Sequence, residues 1–169
     1  MVDKTFIPEG EAAPTSQIGT TMEALAATIA ARRDAGEESY THRLLTGSPD
    51  TVLKKVCEES VEVALAAKDV ESRATSAIAA SLAFRAASGG AQGEEGDAPL
   101  SVALSEDYSR SVDHLRYEAA DVVYHLLVVL ERYGIGLDEF AAELNERMAE
   151  GERPAGAVRL VSGAVNRGK

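Results

Sequence analysis

The sequence predicts an all-α fold, and three observations carry that expectation. Apolar residues recur at spacings of three and four over several long stretches, the period of a helix with one buried face. Between Thr51 and Gly89 there is no internal glycine or proline, the residues that most often interrupt a helix. No segment alternates apolar and polar residues as a half-buried strand requires, and no unit of sequence repeats.

Each element follows in order. Residues 1–19 contain Pro8, Gly10, Pro14 and Gly19 with little periodicity and are expected as a flexible N-terminal arm. Thr20 and Glu23 have capping-box spacing, and Met22, Leu25, Ala26 and Ile29 recur helically, so a helix is expected over about 21–34, stopped by Gly36. Residues 39–47, with Tyr40, Leu44 and Leu45, predict a short helical turn or an ordered loop. Ser48 and Pro49 read as an N-cap followed by proline at the first helical position, where its missing N–H costs nothing. The helix they open runs to about 68, and the alanine-rich 70–87 is helical too, as a continuation or after a bend. Residues 88–99, rich in Gly, Glu and Asp, read as a solvated loop. Helical pattern resumes near Ser105 and is strongest over 115–133, with Gly134 as its C-cap. Gly136 opens a last helix with Leu137, Phe140, Ala141 and Leu144 as its apolar face and an end near Ala149. Residues 151–169 are basic and contain glycine, and are expected as a flexible C-terminal tail. The organised part is a single domain over 20–150.

Composition narrows the function. A chain of 169 residues with 45% hydrophobic and 27% charged side chains can build one ordinary core. No apolar run resembles a secretory signal or is long enough to span a bilayer, so the expected location is the cytoplasm, without a membrane partner. Cys57 is the only cysteine, which excludes an internal disulfide and a cysteine-based zinc site; it is expected as a small core residue. A net charge of -11 argues against general nucleic-acid binding. An acidic protein that handles an anionic nucleotide needs a device to reverse the local field, and divalent cations are such a device.

Two helices carry acids where a bland surface would not. On the first, Val52, Val56, Val63 and Ala67 form an apolar stripe, with Glu59 in its middle, Glu62 at its edge and Glu58 on the same flank. Lys55 lies beside them. On the second, Leu115, Val122, Leu126, Val129 and Tyr133 form the stripe, and Glu118, Asp121 and His125 line one edge of it. Its far side is also apolar, through Tyr117, Tyr124, Leu127 and Val128, so a second subunit is expected to cover part of it. Exposed like charges at helical spacing cost about 0.2–0.5 kcal/mol each. Partial burial raises that cost sharply unless something positive sits among them. One Lys55 cannot balance five carboxylates; a hard cation can, and oxygen ligands favour magnesium or manganese over zinc. His125 reads equally as a substrate contact or a structural histidine.

Glu58-Glu59-x-x-Glu62 followed by Glu118-x-x-Asp121 resembles the E-E-x-x-E … E-x-x-D signature of the all-α nucleotide pyrophosphatases, the MazG-like superfamily. Ser39-Tyr40-Thr41, Leu44-Leu45, residues 53–59, Ala66-Ala67-Lys68-Asp69 and residues 118–127 are similar to its phosphoribosyl-ATP pyrophosphohydrolase branch, over about 24–148. The resemblance implies a four-helix-bundle-type fold completed by dimerisation. It also implies magnesium-dependent hydrolysis of phosphoribosyl-ATP to phosphoribosyl-AMP and pyrophosphate in histidine biosynthesis. Glu59, Glu62, Glu118 and Asp121 would be the metal ligands, with Glu58 binding a further ion or acting as base. Lys54 and Lys55 are candidates for phosphate contact, Lys55 the better placed, while Arg43, Lys68 and Arg116 gain no support from spacing. One departure is length: residues 70–113 exceed the short connection usual between the acidic helices and read as an insertion. Two other readings stand beside this one, a house-cleaning pyrophosphatase for deoxynucleotides and a non-enzymatic helical interaction module.

Overall fold

A computed structural model describes residues 17–88 and 102–160; most of the arm expected over 1–19 and of the loop expected over 88–99, and the end of the tail, lie outside the described residues, while 17–19 and Ser88 are helical. Every regular element among the described residues is a helix, and none of these helices is long and apolar enough to cross a membrane. By contact density the chain divides into two compact units, residues 1–49 with 127–169 and residues 50–126.

In the first unit, α1 spans Gln17–Ala31 and runs into a 3-10 turn at Arg32–Asp34. Thr20 and Glu23 lie inside α1, so their spacing is not the cap the sequence implied, and Gly19 is accommodated within the helix. Ile29 is fully buried. Gly36, at φ +79, takes the left-handed conformation that ends this stretch. Helix α2, Tyr40–Thr46, is capped by the Ser39 hydroxyl, which accepts from the His42 N–H at 3.3 Å. Its buried side chains are Leu44 and Leu45.

The end of α2 is closed by a residue far along the chain. Arg132 donates to the carbonyls of Leu44 (2.8 Å), Leu45 (2.7 Å) and Gly47 (2.7 Å), acceptors at the helix end that lack intrahelical donors. A Cβ on Gly47 would stand 2.6 Å from the Arg43 carbonyl oxygen, so this close turn needs glycine. One residue earlier, Glu131 accepts from Arg33 through both its carbonyl and its carboxylate, each at 2.9 Å. Two adjacent residues thereby hold the α2 end and the 3-10 turn.

In the second unit, α3 spans Pro49–Ser88 as one continuous helix of 40 residues, with Pro49 as its first residue and no break near 69. Its buried positions, Val52, Glu59 and Ala66, are a heptad apart and share one face. Cys57 is exposed, not a core residue: two positions from Glu59, it points about 200° away from that face. Helix α4, Glu106–Arg132, starts where Ser105 Oγ accepts from the Tyr108 N–H at 3.2 Å and continues into the first unit. There it ends in a Schellman turn: Gly134 has φ +69, Ile135 N–H donates to the Leu130 carbonyl (2.9 Å) and Gly134 N–H to that of Glu131 (3.2 Å).

Helix α5, Leu137–Asn145, stops short of Ala149. Arg147 and Met148 bond to carbonyls three residues back, which tightens and closes the helix. The buried Asn145 side chain donates to the Val158 carbonyl at 2.9 Å, and Arg153 Nε donates to the Asn145 carbonyl at 2.8 Å. The first part of the expected loose tail is therefore tied back onto α5.

Replacing Arg132 by Ala strands three carbonyls at once. The expected loss is about 2 kcal/mol of stability, read as a lower urea midpoint. Lysine should recover only part of it, because an ammonium lacks the planar fork that spans several acceptors.

Candidate metal centre

Glu59 and Glu62 on α3 and Glu118 on α4 each present a carboxylate oxygen, all within 4.8 Å of one another. Glu59 is 4% exposed and Glu118 7%, while Glu62 is open to solvent. The cluster therefore has two buried walls and one accessible side. Helix geometry produces the first two: Glu59 occupies the buried heptad position between Val52 and Ala66, and Glu62 follows one turn later.

On α4 the buried face is displaced from the sequence expectation. Leu115, Val122, Leu126 and Val129 are half-buried and Tyr133 is exposed. Glu118, His125 and Val128 are buried, at spacings of seven and three. Leu127 and Leu130 are buried as well, on the other side of the helix, so α4 is covered on more than one face toward its C-terminal end and Asp121 is only half-buried. Of the far side expected under a second subunit, Leu127 and Val128 are already buried within the chain, Tyr124 is half-buried and Tyr117 is 65% exposed.

The remaining predicted residues surround the three carboxylates. Lys55 Nζ lies 2.7 Å from Glu59 Oε1 and 3.3 Å from Glu58 Oε2, and Lys54 Nζ lies 3.1 Å from Glu58 Oε1. Glu58 stands outside the cluster, held by two lysines. Asp121 is half-buried and also outside it; its carbonyl pairs with Nδ1 of buried His125 at 2.9 Å. The same Nδ1 is 3.9 Å from Glu59 Oε1. Because a carbonyl can only accept, Nδ1 carries a proton and turns the edge of the ring toward Glu59. Lys68 is exposed, Arg116 pairs with Asp113 at 2.7 Å, and Arg43, in the other unit, donates to the Glu37 carbonyl at 2.6 Å. Sequence reasoning missed His114, whose Nε2 is 2.9 Å from Glu118 Oε1; the signal available was its i, i+4 spacing.

The electrostatics divide the acids into two kinds. Hydrogen bonds from Lys54 and then Lys55 hold Glu58 below the usual carboxylate range. The Lys55 hydrogen bond also lowers Glu59, outweighing the opposing effect of burial, with smaller help from Glu62 and His125. Glu62 is pushed up, first by sharing a hydrogen bond with Glu59 and then by desolvation and the charges of Glu59 and Glu118. Lys55 is raised mainly by its bond to Glu59. One ammonium thus serves two carboxylates, and Glu62 bears the uncompensated repulsion. An all-oxygen donor set with surplus negative charge fits a hard divalent cation; no nitrogen or sulfur donor belongs to it.

Fold and site together define an all-helical protein in which two helices bring three carboxylates within 4.8 Å of one another. A sequence model of the phosphoribosyl-ATP pyrophosphohydrolase family matches residues 22–148, a span that contains every acid described above, and the chain belongs to that family. Curated relatives called phosphoribosyl-ATP pyrophosphatase bear this out. That of Paracidovorax citrulli is 31% identical over 140 residues, 80% of this chain and 76% of the relative. That of Limosilactobacillus fermentum is 32% identical over 127 residues, 75% and 82% of the two chains. That of Pyrobaculum islandicum is 35% identical over 111 residues, 66% and 76%. No solved structure matches the chain.

The raised Glu62 yields a signed prediction. A carboxyl raised by folding favours the protonated fold, so its contribution is present at low pH and lost as pH rises through the folded value. Glu62→Gln mimics the protonated group at every pH. In chelator, its melting temperature should exceed the parent's at about pH 7.5, and the gain should shrink toward about pH 4.5. A gain that is constant or grows on acidification contradicts the coupling.

Proposed function

We propose that this chain hydrolyses phosphoribosyl-ATP to phosphoribosyl-AMP and pyrophosphate, a step of histidine biosynthesis, with magnesium as the activating ion and manganese as an alternative. The observation that carries the proposal is the meeting of Glu59, Glu62 and Glu118 within 4.8 Å inside the span matched by the family. Family membership favours this reading over deoxynucleotide house-cleaning and over a non-enzymatic helical interaction module.

In this reading Glu59, Glu62 and Glu118 hold the ion, with Asp121 on the flank. When bound, magnesium supplies charge neutralisation for the triphosphate and Lewis acidity at the α–β phosphoanhydride. The protein's own residues supply position. Buried Glu59 and Glu118 give fixed oxygens, and Glu62 gives one on the solvent side, where a nucleotide can enter. Glu58, kept ionised by two lysines, is a weak base for the attacking water. It serves better as the anchor that keeps Lys54 and Lys55 beside the site, within reach of phosphate oxygens. Little covalent work is left to side chains, since phosphoryl chemistry depends mostly on orientation and charge.

The chain is also proposed to act as a homodimer or larger homo-oligomer. Leu53, Val61 and Leu65, on the side of α3 away from Glu59, are 43%, 57% and 61% exposed, an apolar face that a second subunit would cover. Light scattering of the purified protein tests this, and a monomer at working concentration would refute it.

Pyrophosphate release is the deciding assay. With magnesium and phosphoribosyl-ATP the protein should turn over, and Glu59→Gln and Glu118→Gln should each reduce the rate by about 100-fold or more, the upper end of what outer-shell changes cost. Near-normal rates in both variants would remove the ligand assignment. Hydrolysis of a deoxynucleotide panel, with phosphoribosyl-ATP untouched, would replace the substrate.

A further inference from the structure

The three clustered carboxylates differ in what restrains them. Glu59 is held by Lys55 at 2.7 Å, and Glu62, one turn on along the same helix, brings an oxygen within 4.8 Å of those of Glu59 and Glu118. Glu118 comes from the other helix, and its ion pair is with His114, at 2.9 Å from Nε2 to Oε1. Two bare acceptors do not approach so closely, so an N–H lies between them and donates to the carboxylate.

The pair is also unlike an ordinary surface contact. His114 is exposed, with 58% of its side chain accessible, whereas the Glu118 side chain is 10% accessible. Helical side chains lean toward the N-terminus, so the carboxylate of Glu118 lies naturally over the turn that carries His114. A carboxylate has about four lone-pair positions, and the histidine occupies one. Those left over can face Glu59 and Glu62.

We propose that His114 is a positioning residue: by donating from Nε2 to Glu118 it holds that carboxylate in the orientation that completes the cation site with Glu59 and Glu62. The inference rests on the metal-ligand reading above and deepens it. Outer-shell partners of ligands act in this way, fixing a rotamer that would otherwise be paid for in entropy when the ion binds. His114 touches neither substrate nor ion, so its loss weakens the ion's grip more than it slows chemistry at saturating metal.

The test is calorimetric titration of the substrate-free protein with manganese, beside turnover measured against magnesium concentration. His114→Ala should weaken manganese binding about 10-fold or more, raise the magnesium needed for half-maximal rate in parallel, and leave kcat at saturating magnesium within about threefold. His114→Gln keeps a donor at the same position and should restore affinity to within about threefold of the parent. Since His114 is mostly in water, neither change alters helicity by circular dichroism. Binding by His114→Ala within about twofold of the parent, while Glu118→Gln binds poorly, overturns the positioning role alone, and so does a Gln variant as weak as Ala. Unchanged binding by Glu118→Gln overturns the ligand assignment and the role of His114 with it.

Discussion

The constraint on which the site depends is that two helices turn carboxylates toward the same small volume and bury two of them. Glutamate is among the residues least often buried without a partner. Glu59 nevertheless sits at a heptad position between Val52 and Ala66, where an apolar side chain would pack without cost. Glu118 does the same on α4, in line with His125 and Val128. Such placements persist only if the surroundings make the charge tolerable. Lys55 does so for Glu59; among the described residues no lysine pairs with Glu62, and Glu118 has only the exposed His114. The unbalanced part of the cluster is the chemical statement the fold makes.

That imbalance explains how an acidic protein can receive a more acidic ligand. The chain carries -11 net charge, so its long-range field repels a triphosphate. Local geometry has to reverse the sign over a few ångströms. A hard cation between the carboxylates would do so in one step, and Lys54 and Lys55 extend the positive edge along α3. Glu58 then has a use that does not require it to touch the ion. By pairing with both lysines it keeps them on the acidic side, where unpaired lysines would spread into solvent.

Much of this was legible in the sequence, and the limits have physical causes. Helical period and the run without glycine or proline predicted the helices, and Glu59 was placed on the buried face because one angular calculation suffices for one helix. Helix α4 leaves its expected stripe half-buried, while Glu118 and His125 beside that stripe are buried more deeply. Its apolar residues surround the whole circumference, so periodicity alone could not say which arc faces inward; only the acids facing Glu59 decide it. The long-range devices were silent. Arg132 binding three carbonyls around α2, and Asn145 holding Val158, join residues far apart in sequence and leave no local pattern. Thr20 and Glu23 show the opposite failure, a valid local motif overridden because the helix starts earlier.

The long connection between the acidic helices posed the sharper question, whether it leaves the site intact or folds across it. Residues 70–88 continue α3 without a break, and that decides much of it. At about 1.5 Å per residue, Ser88 lies about 40 Å along the axis from Glu62, directed away from the carboxylates. Residues added after the acidic turns cannot rotate Glu59 relative to Val52, because helical phase is set from the residues already placed. Helix α4 then begins afresh at its Ser105 cap, so its own register owes nothing to what precedes it. The described part of the insertion lines a separate groove with Arg73, Ala77, Phe84 and Ala103, and none of the clustered acids belongs to it. The described part of the insertion, a helix extension ahead of an independently capped α4, lengthens the connection without changing the phase that places the carboxylates, which is how a family signature survives it.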